Sequence, residues 1–310
     1  MQTLPFYIVD VFADQPYRGN QLAVFLQAAG LTTEQMQQIA QEIGFAESAF
    51  VLQDTPIPAG YAARYFTVEY EVPFAGHPTL GTAYVVQQAL AKSPVKEIHL
   101  HLPVGTIPVA FTYDQAQQPD FLMMQQINPV FEEPLPIEDL TALLGVGSEA
   151  LHPEYPVQVV STGLPFLLLP LQKLEDMQKV SVTPEALFAF LQKHHLYKTQ
   201  RPDGLSVALY LFCPETYQQD RQLNARMLAY ENGKVIEDAA TGSANGCLLA
   251  YLLKHEYLNK DELDILVEQG YEINRNATIR LVGKKLPNDQ YDIKVGGQVQ
   301  LISKGEWYVS

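Results

Sequence analysis

The stretch Glu237-Asp238-Ala239-Ala240-Thr241-Gly242-Ser243-Ala244-Asn245-Gly246 runs from an acidic pair through small residues into an apolar segment, Cys247 to Leu253. That order predicts a helix whose N-terminus is open to an anion. The first N–H groups of a helix have no internal partner and carry the positive end of its dipole, and small side chains let a carboxylate or phosphate reach them. Asp238 stands directly upstream of such a site. The pattern occurs twice, because Phe74-Ala75-Gly76-His77-Pro78-Thr79-Leu80-Gly81 also leads into an apolar segment, Thr82 to Leu90, with Pro78 suited to the first helical position. Gly76 and Gly242, like His77 and Ser243, are 166 residues apart in a chain of 310, which predicts a duplicated domain.

Outward from the two helix starts the pattern of elements repeats. In the first half Phe6–Phe12 and Gln21–Leu26 read as strands joined by the Asp14–Asn20 turn. Thr32 and Gln35 form a capping box, Met36, Ile39, Ala40 and Ile43 mark one helical face, and Gly44 reads as the C-cap. Phe45–Leu52 returns as a strand with Glu47 near its entrance, followed by Arg64–Thr67 and, after the helix, Val95–Leu102, Gly105–Phe111 and Phe121–Gln126. The second half offers Val157–Ser161, Phe166–Leu171, a helix capped at Thr183, Val207–Phe212, Arg226–Tyr230, and then Glu262–Gln269, Ala277–Val282, Tyr291–Val295 and Val299–Ser303. The Pro-rich, acidic segment Asn128–Pro136 has no periodicity and reads as the boundary. Each copy carries a helix that is apolar nearly all round. Such a helix must be enclosed, so the expectation is an α+β fold of two similar domains, each a curved, barrel-like mixed sheet wrapped around a central helix.

Composition narrows the function. A hydrophobic content of 47% in 310 residues is ample for two cores. A net charge of −15 argues against nucleic acid and anionic membranes, which need clustered Lys and Arg, and leaves a small anionic metabolite held by local helix ends. Met1-Gln2-Thr3-Leu4-Pro5 lacks the features of a signal peptide and the apolar runs are too short to span a bilayer, so the expected location is the cytoplasm. Cys213 and Cys247 are the two cysteines; they suit a reducing compartment and supply neither a disulfide framework nor metal-ligand spacing. Asn276-Ala277-Thr278 matches a glycosylation sequon that matters only on a secreted chain. Glycine-rich nucleotide motifs are absent, and the expectation is no cofactor and no metal.

The two halves differ at their polar positions. Glu47 has no acidic counterpart near Leu205-Ser206, and Asp238 answers to Val72. Facing domains with one carboxylate and one helix N-terminus apiece would hold an anionic substrate between a base and an acid. Moving a proton at carbon beside a carboxylate needs that layout, since N–H groups stabilise the developing enolate. Bland readings stand beside this one. A single Glu or Asp is usually a solvated surface residue, and His77, Thr241 and Ser243 serve equally well as helix caps. His99 and His101 share a strand face, yet no third ligand is near in sequence and a surface pair is the simpler reading. His194-His195 reads as positive charge at a helix C-terminus, and Cys247 as packing.

Taken together, Val9-Asp10-Val11-Phe12 with Gly19-Asn20, Ala46-Glu47-Ser48, Ala75–Gly81, Ser161-Thr162-Gly163, Glu237–Ala244, Gln269-Gly270 and Val295-Gly296-Gly297 resemble the phenazine-biosynthesis PhzF-type isomerases, which have the diaminopimelate-epimerase-like fold. The resemblance spans nearly the whole chain. It implies domains 1–128, completed by the last strand at 298–310, and 129–297, with the active site in the interdomain cleft and a homodimer as the assembly. It also implies that Glu47 is the proton-transferring acid/base, that His77, Asp238 and Ser243 are the other catalytic residues, and that Gly76, Thr241 and Gly242 bind substrate. The implied activity is a cofactor-independent isomerisation. Where the related epimerases place a pair of cysteines, this chain has Ala75 and Thr241, which excludes a two-thiol mechanism. Family members commonly carry proline at the positions of Gln21, Val68 and Ala239, and its loss at 239 implies a looser turn beside Asp238. Two other readings remain, a racemase or epimerase that opposes Glu47 to Asp238 and a ligand-binding protein without turnover.

Overall fold

The computed structural model of the chain describes residues 2–136 and 138–309. Met1 and Ser310, the outer ends of the expected segments 1–128 and 298–310, lie outside the described residues, as does Ile137. Two compact units emerge, Met1–Gln125 with Gly296–Ser310, and Gln126–Val295.

The first unit contains β1 (Gln2–Val11), β2 (Asn20–Phe25), α1 (Thr33–Ile43), β3 (Glu47–Val51), β4 (Tyr61–Thr67), β5 (Glu71–Val72), α2 (Gly76–Val86), β6 (Glu97–Leu102), β7 (Gly105–Tyr113) and β8 (Pro119–Gln125). The second contains β9 (Val130–Phe131), α3 (Leu140–Leu144), β10 (Gln158–Ser161), β11 (Pro165–Pro170), α4 (Leu174–Lys179), α5 (Pro184–Lys193), β12 (Ala208–Cys213), β13 (Leu223–Glu231), β14 (Lys234–Asp238), α6 (Gly242–Lys254), β15 (Glu262–Gln269), β16 (Ala277–Leu286) and β17 (Gln290–Gly297). The final strand, β18 (Val299–Val309), returns to the first unit and pairs with β1 along its whole length.

The pairing repeats between the copies. β2 runs parallel to β3 and β4 parallel to β6, while β11 runs parallel to β12 and β13 parallel to β15; β3–β4, β4–β5 and β6–β7 are antiparallel, as are β12–β13, β13–β14 and β15–β16. β18 lies antiparallel to β1, and β9 antiparallel to β10. Each unit is thus completed by the strand that follows the other copy in sequence. The segment expected to be the boundary, Asn128–Pro136, carries the short edge strand β9 at Val130–Phe131. Beyond β9 it stays on β10, with Glu132 and Leu135 donating their N–H groups to the carbonyls of Val159 and Val157. Its prolines have no N–H to donate, which suits an edge and hides the strand from a periodicity reading.

Within each unit the sheet has two covered faces, which explains runs such as Leu22-Ala23-Val24-Phe25. Ala23, Phe25, Phe50 and Phe66 point to α1 and join Met36, Ile39 and Ala40 in one core; the rings of Phe25 and Phe50 stack at 5.0 Å. α1 is held at both ends as expected, by the reciprocal Thr32 and Gln35 capping box and by Gly44 in the left-handed region. The opposite face encloses α2, whose residues His77 to Ala83, Val85 and Val86 are buried. A Cβ on Gly81 would lie 2.6 Å from the Leu22 side chain and 2.9 Å from that of Val11, so the helix backbone packs there directly on the side chains of the sheet. In the second unit Leu167, Leu169, Leu209 and Leu211 face the α3 to α5 layer, and Ala244 to Leu253 of α6 are buried under the other face. Both units are barrel-like mixed sheets around a central helix.

One boundary differs from expectation. α2 begins at Gly76, so Pro78 is the third helical residue instead of the first. It is tolerated because the N–H groups of the whole first turn lack helical acceptors. In solution, Gly81→Val places a branched side chain against Leu22 and Val11, and overpacking of this kind costs about 1–3 kcal/mol; Thr32→Ala, which removes an exposed cap, costs about 1 kcal/mol. Urea denaturation of both variants checks the order, and a Gly81→Val protein as stable as the wild type would contradict the close approach.

Candidate active site

In the first unit, Glu47 is the opening residue of β3, placed there because Gly44 ends α1 and the chain re-enters the sheet opposite Thr67. His77 is the second residue of α2 and is buried. The two meet: Glu47 Oε2 lies 3.4 Å from His77 Nε2, and the carboxylate side chain is 20% exposed, so a ligand can still reach it. The other face of the imidazole is held by Asn20, whose Nδ2 is 3.1 Å from His77 Nδ1. An amide nitrogen can only donate, so Nδ1 accepts and the neutral ring carries its proton on Nε2, toward Glu47. Asn20 itself is set by the turn before it. Gly19 has φ +60°, and a Cβ there would come within 2.1 Å of the Val11 carbonyl oxygen, so only glycine makes this turn without strain.

In the second unit, Asp238 ends β14 and Thr241 is the N-cap of α6, with Gly242 and Ser243 its first two residues. The threonine does not cap the helix with its side chain. Its hydroxyl instead donates to Asp238 Oδ2 at 2.7 Å. The capping reading fails for His77 and Ser243 as well, because the N-cap positions are Ala75 and Thr241. The N–H groups of Gly242, Ser243 and Ala244 precede the first helical bond, made by Asn245 to the Thr241 carbonyl. α2 presents one fewer, since Pro78 lacks an N–H. β14 is fixed just before Asp238 by a bidentate pair in which Arg226 Nε and Nη2 donate to Glu237 at 2.9 and 2.8 Å, both side chains being largely buried.

The structure therefore brings together Gly76, His77 and Glu47 in one unit, and Asp238, Thr241, Gly242 and Ser243 in the other. Asn20 and Gln269 were missed as site residues in the sequence. Gln269 has its amide among Asp238, Thr241 and Asn245, and both residues lie in short motifs, Gly19-Asn20 and Gln269-Gly270, where an amide beside a glycine was the available signal.

The remaining candidates lie apart from these residues. His99 is exposed against Glu97, His101 contacts Thr106, and His194 reaches Asp139 at 3.0 Å. Among the described residues no cluster of His, Cys, Asp and Glu has the geometry to hold a metal ion. Cys213 belongs to the core under α5 and Cys247 lies inside α6, where burial pushes each thiol up to about 12. At neutral pH neither is a thiolate. A cavity of about 510 Å³ near Glu132, His195 and Arg201 offers no anion site, since Arg201 is already bonded to Glu132 and Asp203. No helix among the described residues is long and apolar enough to cross a membrane.

This geometry can be set beside known proteins. An uncharacterized isomerase of Pasteurella multocida is 33% identical over 305 residues, covering 98% of this chain and 94% of that one. The trans-2,3-dihydro-3-hydroxyanthranilate isomerase of Pseudomonas aeruginosa is 30% identical over 305 residues, covering 98% and 99%. The crystal structure of a Bacillus anthracis phenazine biosynthesis protein of the PhzF family superposes with a TM-score of 0.86 at 26% identity, over 100% of both chains. Residues 9–305 match the family described as phenazine biosynthesis-like protein, PhzC-PhzF. With that match over nearly its whole length, and with isomerases among its relatives, the chain belongs to the PhzC-PhzF family and is a PhzF-like isomerase.

Proposed function

We propose that this isomerase shifts a proton on a small carboxylate-bearing metabolite without a cofactor, by acid/base catalysis centred on Glu47. The observation that carries this reading is the Glu47 carboxylate 3.4 Å from His77 Nε2, beside the N-terminus of α2. Glu47 takes the proton from one carbon and returns it to another, so no electrons enter or leave. The charge that develops meanwhile is met by N–H groups at the helix starts, where each donor is worth roughly 10²–10³ in rate. His77, with its proton on Nε2, and Asp238 hold or reprotonate the substrate, and Ser243 adds hydrogen bonds. Gly76, Thr241 and Gly242 keep the substrate carboxylate close to the backbone. The Pseudomonas aeruginosa relative isomerises trans-2,3-dihydro-3-hydroxyanthranilate, a small carboxylate, so that compound is the first substrate to test.

Three outcomes follow. Glu47→Gln, nearly isosteric, lowers solvent-deuterium incorporation into that substrate about 10²–10⁴-fold while calorimetric affinity stays within a few-fold. A variant that keeps most of the rate removes Glu47 from the mechanism. Cys213→Ser combined with Cys247→Ala leaves the rate near that of the wild type, because both thiols are buried and protonated; loss of rate in a folded double variant contradicts a cysteine-free reaction. Finally, Gly242→Val blocks the anion and weakens binding, whereas Asp238→Asn keeps shape and lowers the rate far more than affinity. Calorimetry alongside kinetics separates them, and unchanged affinity in Gly242→Val would mean that the anion binds elsewhere.

A further inference from the structure

Gln269 is completely buried at the end of β15, where five hydrogen bonds converge on its amide. Its orientation is set by two backbone groups of fixed polarity. Oε1 accepts from the Thr241 N–H at 3.2 Å, and Nε2 donates to the Asp238 carbonyl at 3.0 Å. Oε1 also accepts from Asn245 Nδ2 and from the Tyr210 hydroxyl, whose phenol burial keeps protonated. Nε2 also donates to the Thr241 hydroxyl at 3.0 Å. The threonine oxygen is thereby an acceptor on the glutamine side, and its own proton goes to Asp238 Oδ2 at 2.7 Å. The hydrogen-bond chain has a single direction, from Gln269 through Thr241 to the carboxylate. The same glutamine clasps the turn on both sides of Ala239-Ala240.

The first copy provides an internal control. Val72 lies three residues before the N-cap Ala75, as Asp238 lies three before Thr241. Tyr65 pairs with Val72 as Met227 pairs with Asp238. The parallel pairs Tyr61 with Leu100 and Ala62 with His101 answer to Leu223 with Val267 and Asn224 with Glu268, which sets Leu102 as the counterpart of Gln269. Asp238, Thr241 and Gln269 are thus replaced together by Val72, Ala75 and Leu102. Elsewhere the frame keeps its bonds: Thr79 donates to the Ala75 carbonyl as Asn245 donates to that of Thr241. The hydroxyl and amide partners are present only in the copy that has a carboxylate at this strand position, since Val72 stands there in the other.

We propose that Thr241 and Gln269 are positioning residues for Asp238, Thr241 by donating to its carboxylate and Gln269 by forcing the threonine proton in that direction. The functional importance of this rests on the role given to Asp238 above, but the relay itself is measurable without substrate. A hydrogen bond to the charged form stabilises it, so losing the bond raises the carboxyl pKa by about one unit. The experiment is a carbon-13 carboxyl titration of the full-length protein, with the Asp238 signal assigned by its loss in Asp238→Asn. Thr241→Val is expected to raise the Asp238 midpoint by about one pH unit, and Thr241→Ser to restore it. Gln269→Met is expected to raise it with Thr241 intact, and adding Thr241→Val to produce little further shift, since the two act in series. An unshifted midpoint in folded Thr241→Val, or a midpoint raised equally by serine, overturns the proposal. So do additive shifts in the double variant. Should Gln269→Met not fold, the valine and serine pair still decides the threonine link, and Tyr210→Phe, which removes one acceptor bond at Gln269, must then leave that link in place. Failure of the assigned activity leaves these titrations unaffected, so the two ideas fall separately.

Discussion

Burying α2 and α6 along nearly their whole length takes their side faces away from any ligand and leaves their first turns as the places where backbone polar groups still need partners. The requirement is strict, because a helix cannot satisfy the N–H groups of its own first turn. Side-chain caps would normally meet it. Here the N-cap residues are Ala75, which has no acceptor, and Thr241, whose hydroxyl is committed to Asp238. Neither helix start is closed by a side-chain cap, and each has a carboxylate residue beside it, Glu47 in one unit and Asp238 in the other.

Duplication supplied two such starts, and divergence made them chemically different. By strand register the counterpart of Glu47 is Ala208, since Ala23 pairs with Ser48 as Leu167 pairs with Leu209. The apolar Val72, Ala75 and Leu102 stand where the second copy has its acidic and hydrogen-bonding trio. The changes are confined to a few side chains at the helix starts and their supports. Both copies nevertheless keep the same strand pairings around a buried central helix.

The strong negative charge of the chain and an anionic ligand are compatible on the scale of the Debye length, about 8 Å at physiological salt. Over that distance the positive ends of α2 and α6 act locally, while surface charge farther away is screened. The thiols illustrate the opposite case: apolar surroundings push Cys213 and Cys247 up to about 12, so two residues that could have been reactive are inert packing.

Much of this was legible in the chain itself. The periodic apolar pattern and small-residue punctuation place α1, α2, α6 and most of the strands, since these depend on neighbours in sequence. The resemblance marks Glu47, His77, Asp238 and Ser243 because their motifs are local. What local pattern could not show was β9 in a proline-rich segment, the helical start at Gly76 rather than Pro78, and the partners Asn20 and Gln269. Asn20 meets His77 across 57 residues, and Gln269 meets Thr241 across 28. Sequence alone determined that apolar helices follow the Gly76 and Gly242 motifs, because small residues leading into an apolar run are a signal read over a few residues. The direction of each hydrogen bond that orients them was decided only in the tertiary structure, because it depends on side chains that the sheet register carries in from distant parts of the chain.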